Sequence, residues 1–204
     1  MLTSIAESDF LAAVCKVEEH LVGVDKLFTS QLDALRVLVM EDNNVFLTAP
    51  TSSGKTLIPV VYPLILSQLS DMGYNVPKFS RVLFVTAMNS IQLSLEASIL
   101  KLGVTCASAT RDNIDQILDA KVSIILVGPE VLKHANVSKS LLKHRDTFCI
   151  KVIDEAHLGK ILSELKQKCR QLLANTRYDY AASNHFLSVS ASTVRRVSNF
   201  TSLK

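Results

Sequence analysis

Six short segments of the chain are rich in Val, Ile, Leu and Phe. Their apolar residues are mostly continuous rather than alternating with polar ones. That pattern is typical of strands in a parallel sheet covered on both faces. We therefore predict strands at Val45–Thr48, Arg81–Thr86, Val104–Ala107, Val122–Val127, Cys149–Ile153 and Phe186–Ser190.

Helical patterns occupy the intervals between these strands. We predict one helix that is capped by Thr29 or Ser30 and runs to about Met40. Further helices are predicted over residues 56–70, 89–102 and 160–174. The last carries an apolar stripe at helical spacing, which we interpret as core packing.

The alternation of strands and helices predicts an α/β fold, with a mostly parallel sheet and helices on both faces. Residues 1–26 are predicted to form an N-terminal helical extension, and residues 27–204 a single domain. The best loop candidates are residues 71–80 and 175–184, which lie between periodic segments.

Composition narrows the class of protein. Of the 204 residues, 48% are hydrophobic and 20% are charged, which excludes a disordered or collagen-like chain. No apolar stretch is long enough to span a membrane, and the first ten residues lack the basic start of a secretory signal. Four widely spaced cysteines fit reduced thiols better than a disulfide framework or a zinc site. We expect an intracellular protein, with no clear basic cluster to assign it to nucleus or cytoplasm.

The net charge of +3 is unevenly distributed. Residues 1–130 carry 9 basic and 14 acidic side chains, whereas residues 131–204 carry 13 basic and 5 acidic ones. A basic half suits a polyanionic partner, although an ordinary solvated surface explains it equally well. The same two interpretations apply to a group of four basic residues, Lys133, Lys139, Lys143 and Arg145.

A phosphate-binding loop is predicted between the first strand and the helix that follows it. Small residues there allow backbone N–H groups to point at phosphates, and the helix N-terminus adds its positive dipole end. Lys55 is placed to reach the β and γ phosphates, and the Thr56 hydroxyl to bind Mg²⁺. The loop consists of Ala49, Pro50, Thr51, Ser52, Ser53, Gly54, Lys55 and Thr56.

An acidic box, Asp154-Glu155-Ala156-His157, closes the strand Cys149–Ile153. The strand delivers Asp154 to the carboxyl edge of the sheet, where open α/β sheets bind ligands. We predict that Asp154 holds Mg²⁺, that Glu155 orients and deprotonates the attacking water, and that His157 couples the site to its surroundings. The alternative is an acidic pair that caps the next helix.

With these two motifs in order, the chain resembles the first RecA-like domain of the DEAD/DEAH-type helicases, and within them the RecQ helicases. The superfamily's loop reads A-x-T-x-x-G-K-T, and the acidic box resembles its motif II. Gln31, 24 residues before Lys55, stands where the family has an adenine-reading glutamine. The stretch Ser192–Val197 resembles the RecQ sequence after motif III.

The resemblance also implies residues that contact nucleic acid or couple it to ATP. Nucleic-acid backbone contacts are expected in the position of motif Ia and in a Pro-Glu motif, at Thr86, Asn89, Ser90, Gly128, Pro129 and Glu130. Coupling is expected from the motif III equivalent, Ser190, Ala191 and Ser192.

The resemblance implies a RecA-like P-loop NTPase that binds ATP, Mg²⁺ and nucleic acid, with DNA favoured and RNA possible. A helicase core has a second RecA-like domain, for which we find no room here. We expect that a partner supplies it in trans, that it was lost by truncation, or that the chain is a degenerate paralogue. We therefore expect little hydrolysis or unwinding by this chain alone. One alternative is a lone binding module without ATP turnover, and another is a small nucleotide kinase, disfavoured because no arginine-rich lid is found.

Overall fold

The computed structural model describes residues 5–41, 44–48, 53–86, 89–154, 186–190 and 201–203. Its strands are β1 Asn44–Thr48, β2 Arg81–Val85, β3 Cys106–Ala109, β4 Ile124–Val127, β5 Phe148–Asp154, β6 Phe186–Ser190 and β7 Thr201–Leu203. Its α-helices are α1 Glu7–His20, α2 Thr29–Met40, α3 Leu57–Asp71, α4 Asn89–Lys101, α5 Ile114–Asp119, α6 Pro129–Leu132 and α7 Ala135–Lys143. A 3₁₀ turn, Arg145–Thr147, leads into β5.

The described strands form one seven-stranded sheet in the order β3-β4-β2-β5-β6-β1-β7. Every neighbouring pair is parallel except β1 and β7, which are antiparallel. This arrangement confirms the predicted mostly parallel α/β sheet. Because the first six strands are parallel, their carboxyl ends share one edge of the sheet, where ligands bind in open α/β folds.

Two hydrophobic clusters show that both faces of the sheet are covered. Val82 and Phe84 of β2 belong to one cluster, whereas Leu83 and Val85 belong to the other. Successive side chains of a strand point to opposite faces, so the clusters lie on the two sides of the sheet. The first includes buried residues of α1 to α4, and the second includes buried residues of α5 to α7.

The predicted elements agree with the structure within one or two residues at most ends. The third strand lies two residues later than predicted, at Cys106–Ala109. Val104 is buried in the core, but pairing begins only where Cys106 faces Ile124 of β4. The prediction therefore placed the start of the strand at buried Val104, two residues before the first strand pair. The predicted helix over 160–174 and loop over 175–184 lie outside the described residues.

The start of α2 corrects a second prediction. Neither Thr29 nor Ser30 caps this helix, because its N-cap is Phe28. The Gln31 side chain reaches back and accepts a hydrogen bond from the Phe28 N–H at 2.8 Å. A glutamine three residues into a helix is a known partner of the N-cap backbone, and it makes a hydroxyl cap unnecessary here.

The N-terminal helix α1 packs along α3, the helix that follows the phosphate loop. Phe10, Ala13, Val14 and Val17 of α1 are buried in the same cluster as the core of α3. The boundary at residues 26 and 27 stays a prediction. Among the described residues, no helix is long and apolar enough to cross a membrane.

Candidate functional site

Three adjacent strands bring the two predicted nucleotide motifs to one edge of the sheet. β6 lies between β1 and β5, with Thr48 opposite Ser190 and Val189 opposite Asp154. Neighbouring strands are about 4.8 Å apart, so the end of β1 and the end of β5 are separated by roughly 10 Å. This spacing leaves room for a phosphate chain and a cation between the loop after β1 and Asp154.

The described part of the phosphate loop runs from Ser53 to Thr56. Gly54 has φ +70°, in the left-handed region that glycine adopts at low cost. Its carbonyl accepts a hydrogen bond from the Leu57 N–H at 3.0 Å, and α3 begins there. The helix N-terminus therefore follows the loop directly, which is the arrangement that favours an anion. Ala49, Pro50, Thr51 and Ser52 lie outside the described residues.

Gln31 is attached to the phosphate loop rather than exposed to solvent. It is 2% exposed, and its Nε2 donates a hydrogen bond to the Gly54 carbonyl at 2.9 Å. A Cβ at Gly54 would lie 2.5 Å from the same Nε2, so a larger residue there would displace the Gln31 amide and would be strained at φ +70°. The amide predicted to read adenine thus also fixes the position of the loop.

Phe28 is a residue that the sequence analysis did not select. Its side chain is 63% exposed, which is unusual for an aromatic ring. The ring lies beside Gly54, with Cε2 4.0 Å from the position of a Cβ there. An exposed ring next to Gln31 and the phosphate loop suits stacking against a flat nucleobase. The sequence did carry a signal, because Phe28 is an apolar residue directly before the polar first turn of α2.

The residues present suit a triphosphate and Mg²⁺. Ser53 Oγ is buried and has no hydrogen-bond partner in the part of the chain that the structure describes, so a phosphate oxygen would satisfy it. Thr56 is the N-cap of α3 but makes no cap hydrogen bond with its side chain. A hydroxyl from Thr56 and a carboxylate from Asp154 are the oxygen ligands that Mg²⁺ prefers, with phosphates and water completing the set. Lys55 and Asp154 are both half-buried.

Several predicted site residues lie outside the described residues: Glu155, His157, Ala191 and Ser192. Their roles stay predictions. Ser190 ends β6, the strand between β1 and β5, and its coupling role also stays a prediction. Among the described residues, no group of three or more His, Cys, Asp or Glu side chains is arranged to hold a metal ion.

The predicted nucleic-acid residues follow β2 and β4, which are neighbours at the same edge. Thr86 is 1% exposed, so its hydroxyl is not presented to a phosphate. Its N–H is not presented either, because it donates to the Val127 carbonyl at 3.2 Å. Gly128 and Pro129 are also buried, at the start of α6. Exposed Glu130 pairs with Lys133 at 3.1 Å. Asn89 and Ser90 begin α4.

The other basic candidates lie on and beside α7. Lys139 and Lys143 are exposed, whereas Arg145 is half-buried and lies 3.7 Å from Asp146. The buried side of α7 is formed by Val137 and Leu141. The burial of Val137 and Leu141 makes α7 an amphipathic surface helix, with Lys139 and Lys143 exposed to solvent.

The described cysteines have no catalytic geometry. Cys15, Cys106 and Cys149 are free thiols. Burial raises the pKa of both the Cys106 and the Cys149 thiol to about 12. Both remain protonated near neutral pH, and a protonated thiol is a poor nucleophile.

Comparisons with known proteins agree with this arrangement. The DEAD/DEAH box helicase family model matches residues 28–200. The chain is 30% identical over 142 residues to the ATP-dependent DNA helicase Hel308 of Thermococcus kodakarensis, covering 67% of this chain. It spans only 12% of the length of that curated relative.

Three solved structures share the fold. The UvsW helicase from bacteriophage T4 is 14% identical, with 92% of this chain and 61% of that chain covered and a TM-score of 0.58. The helicase MrfA bound to DNA and AMPPNP is 21% identical, covering 94% and 27%, with a TM-score of 0.57. The DEAD-box helicase Mss116 bound to ssRNA and UDP-BeF is 19% identical, covering 94% and 40%, with a TM-score of 0.60. The family match extends from the start of α2 beyond β6, and the chain therefore belongs to the DEAD/DEAH box helicases, as their first RecA-like domain.

Proposed function

We propose that this chain is the ATP-binding and nucleic-acid-binding part of an ATP-dependent DNA helicase of RecQ-like type. The observation that supports it best is the placement of the Ser53–Thr56 loop and Asp154 at one edge of the sheet, two strands apart. Phosphoryl transfer requires a cationic clamp, a metal and a positioned nucleophile, and this edge carries residues for the first two.

Each residue of the site has a proposed task. Lys55 binds the β and γ phosphates, and Ser53 and the backbone of the loop bind phosphate oxygens. Thr56 and Asp154 hold Mg²⁺, which neutralises charge on the phosphates when bound. Gln31 and Phe28 hold the base. Glu155 positions water and His157 couples the site, as the family resemblance implies.

DNA is the proposed nucleic acid. The support is the RecQ resemblance, together with a relative whose name is ATP-dependent DNA helicase. Contacts are proposed at Asn89, Ser90 and the Gly128–Glu130 turn. They involve sugar and phosphate rather than base edges, so binding is expected to be insensitive to sequence and to weaken with salt.

Turnover by the isolated chain is proposed to be slow, because a second RecA-like domain is needed to complete the site. Arginine fingers on related phosphate-loop enzymes contribute roughly 10³–10⁵ in rate. The second candidate is a binding module that holds a partner or nucleic acid without turnover. It is favoured by Thr86, whose hydroxyl and N–H are buried where the family resemblance implies a phosphate contact.

One titration distinguishes these functions. The chain is titrated with a fluorescent ATP analogue and Mg²⁺, alone or with single-stranded DNA or RNA, and phosphate release is followed in the same samples. Nucleotide binding with very slow release, and DNA binding at lower concentration than RNA, is expected. Nucleic-acid binding without any nucleotide binding would favour the module, and tighter RNA binding would contradict the DNA assignment.

The metal role of Asp154 gives a separate prediction. Asp154→Asn is expected to weaken binding of the ATP analogue about tenfold in excess Mg²⁺, because a charged oxygen ligand becomes a neutral one. In EDTA the variant and the wild type are expected to bind equally. Asp112→Asn, on an exposed residue after β3, is the matched control. Equal loss with and without Mg²⁺ would contradict a metal-binding role.

The proposed stacking of Phe28 on the base gives another testable prediction. Phe28→Ala is expected to weaken the ATP analogue about tenfold, since stacking on an aromatic ring contributes about 1–3 kcal/mol per base. Competition by inorganic tripolyphosphate, which has no base, should not change. Leu93→Ala removes a comparably exposed apolar side chain, 71% exposed on α4, and serves as control. Parallel losses for ATP and tripolyphosphate would argue against stacking.

A further inference from the structure

Three hydrogen bonds connect the N-terminal helix to the phosphate loop. Glu18 of α1 accepts a bond from the Leu27 N–H through Oε1 at 2.7 Å. The next N–H along the chain, that of Phe28, donates to Gln31 Oε1 at 2.8 Å. Gln31 Nε2 then donates to the Gly54 carbonyl at 2.9 Å. A peptide unit and one side-chain amide thus separate Glu18 from the loop.

The two elements that this connection joins, helix α1 and the Gln31 side chain, are each held by further contacts. Glu7 of α1 forms an ion pair with Arg36 of α2 at 2.7 Å, and Asp9 accepts a hydrogen bond from the Tyr74 hydroxyl at 2.6 Å. At the other end, Gln31 is 2% exposed and its Nε2 is held by the Gly54 carbonyl at 2.9 Å. A displacement of Phe28 would therefore be transmitted to Gln31 rather than absorbed.

We infer that Glu18 is a positioning residue for the base-binding side of the nucleotide site. The inference rests on the proposed ATP binding and adds an element of control from α1. Glu18 does not touch the proposed nucleotide position. It acts through Leu27, which is 6% exposed and anchors the α1–α2 connection in the core.

The effect is expected at the base rather than at the phosphates. The ring of Phe28 is 63% exposed, so its position depends largely on the backbone to which it is attached. The connection from Leu21 to Phe28 is held by Glu18 near its end and by Val22, whose N–H donates to the Leu102 carbonyl at 3.4 Å, near its start. Losing Glu18 removes the hydrogen bond that fixes the Leu27 peptide beside Phe28, while the Leu27 side chain stays buried in the core. The phosphate loop keeps its own bonds to α3.

Four variants test the inference by competition against the fluorescent ATP analogue. Glu18→Ala removes the acceptor, and Glu18→Gln keeps an oxygen that accepts from Leu27. Glu19→Ala removes the same charge from the exposed neighbouring residue. Glu18→Ala combined with Gln31→Ala asks whether the effect passes through Gln31. ATP and inorganic tripolyphosphate are the competitors, and thermal unfolding of each variant is recorded.

Glu18→Ala is expected to weaken ATP about fivefold and to leave tripolyphosphate within about twofold of wild type. The loss is smaller than the about tenfold or more expected for a charge-assisted hydrogen bond to the ligand itself, because Glu18 does not touch the nucleotide. Glu18→Gln and Glu19→Ala should bind as the wild type does. In the Gln31→Ala background, Glu18→Ala should add little, since coupled residues are non-additive.

Three results would overturn the inference alone while wild-type ATP binding stands. These are unchanged ATP affinity in Glu18→Ala, equal losses for ATP and tripolyphosphate, and an undiminished effect in the Gln31→Ala background. A failure of Glu18→Gln to restore affinity would also count against it. A wild-type chain that binds neither competitor would overturn the proposed function and this inference together.

Discussion

Replacing Lys55 with alanine is expected to lower the affinity of the chain for an ATP analogue at least about 100-fold, which corresponds to about 2.7 kcal/mol. The residue lies between Gly54, whose carbonyl starts the hydrogen bonding of α3, and the N-cap Thr56. Its backbone therefore lies at the helix N-terminus, where a phosphate is already favoured. Removing it deletes the only formal positive charge that the described loop contributes.

The reason for so large an effect is that ATP carries most of its charge on the phosphates that Lys55 is proposed to bind. A hydrogen bond between charged groups contributes about 1.5–3 kcal/mol, roughly twice a neutral one. The helix N-terminus and the backbone N–H groups remain in the variant. Residual weak binding at high nucleotide concentration is therefore expected, rather than none.

The measurement is a titration with the fluorescent ATP analogue in Mg²⁺, repeated with Lys55→Arg and Lys78→Ala. Lys78 is 74% exposed and pairs with Asp71 at 2.7 Å, away from the loop, so its removal changes the net charge equally. Lys78→Ala should bind as the wild type does, and Lys55→Arg should bind weakly because its larger planar head does not fit a site shaped for an ammonium. If Lys55→Ala kept wild-type affinity, the chain would not use this loop for nucleotide.

Much of this site could be predicted from the sequence, because its signals are local. The loop and the acidic box each follow a continuous apolar segment, and a buried parallel strand ends at the carboxyl edge where both are needed. The strands containing Val45 and Ile153 were predicted within one residue of their observed ends. Gln31 was selected only through the family resemblance.

The parts that were missed depend on tertiary contacts. The bond between Gln31 and Gly54 joins residues 23 positions apart, and no local periodicity encodes it. Phe28 lies beside the loop because that bond brings the start of α2 to Gly54. The short helices α5 and α6 escaped prediction since their few turns produce weak periodicity, although Pro129 at the first position of α6 was a usable signal. Helix α7 is amphipathic, and its periodicity was a signal that the sequence analysis did not use.

Arg81, at the opposite edge of the sheet, is expected to have the largest effect on stability. It is 5% exposed at the start of β2. Its Nη2 donates to the carbonyls of Leu118 and Ala120 at 2.9 and 2.8 Å, and its Nη1 to Thr147 Oγ1 at 3.0 Å. The guanidinium thus joins the end of α5 to the turn before β5.

The environment of Arg81 suits a guanidinium and no other side chain. Burial lowers the pKa of its guanidinium, because the charged form loses contact with water. The side chain nevertheless stays protonated, since the pKa of an arginine starts far above neutral pH. Its ring neighbour Phe79, whose centroid is 5.1 Å away, adds a cation–π contact. A lysine has no planar fork and cannot reach the same set of carbonyls.

Arg81→Met is expected to lower the free energy of unfolding by about 3 kcal/mol, since it leaves buried carbonyls without a donor, at about 1–3 kcal/mol each. For a chain of this size that corresponds to a fall of roughly 6–12 °C in Tm. The free energy of unfolding of Arg81→Lys should lie between those of the wild type and Arg81→Met. Arg111→Met, on a 61% exposed side chain after β3, should change it little. Circular dichroism at 222 nm during heating and in urea provides the measurement.

The same variant separates the stability of the sheet from the chemistry of its other edge. At a temperature where Arg81→Met remains folded, its affinity for the ATP analogue is expected to equal that of the wild type, because β2 begins at the amino edge and the nucleotide residues lie at the carboxyl edge. Weaker binding by the folded variant would show that the two edges are energetically coupled. A Tm within about 2 °C of wild type would mean that water replaces the guanidinium at these carbonyls.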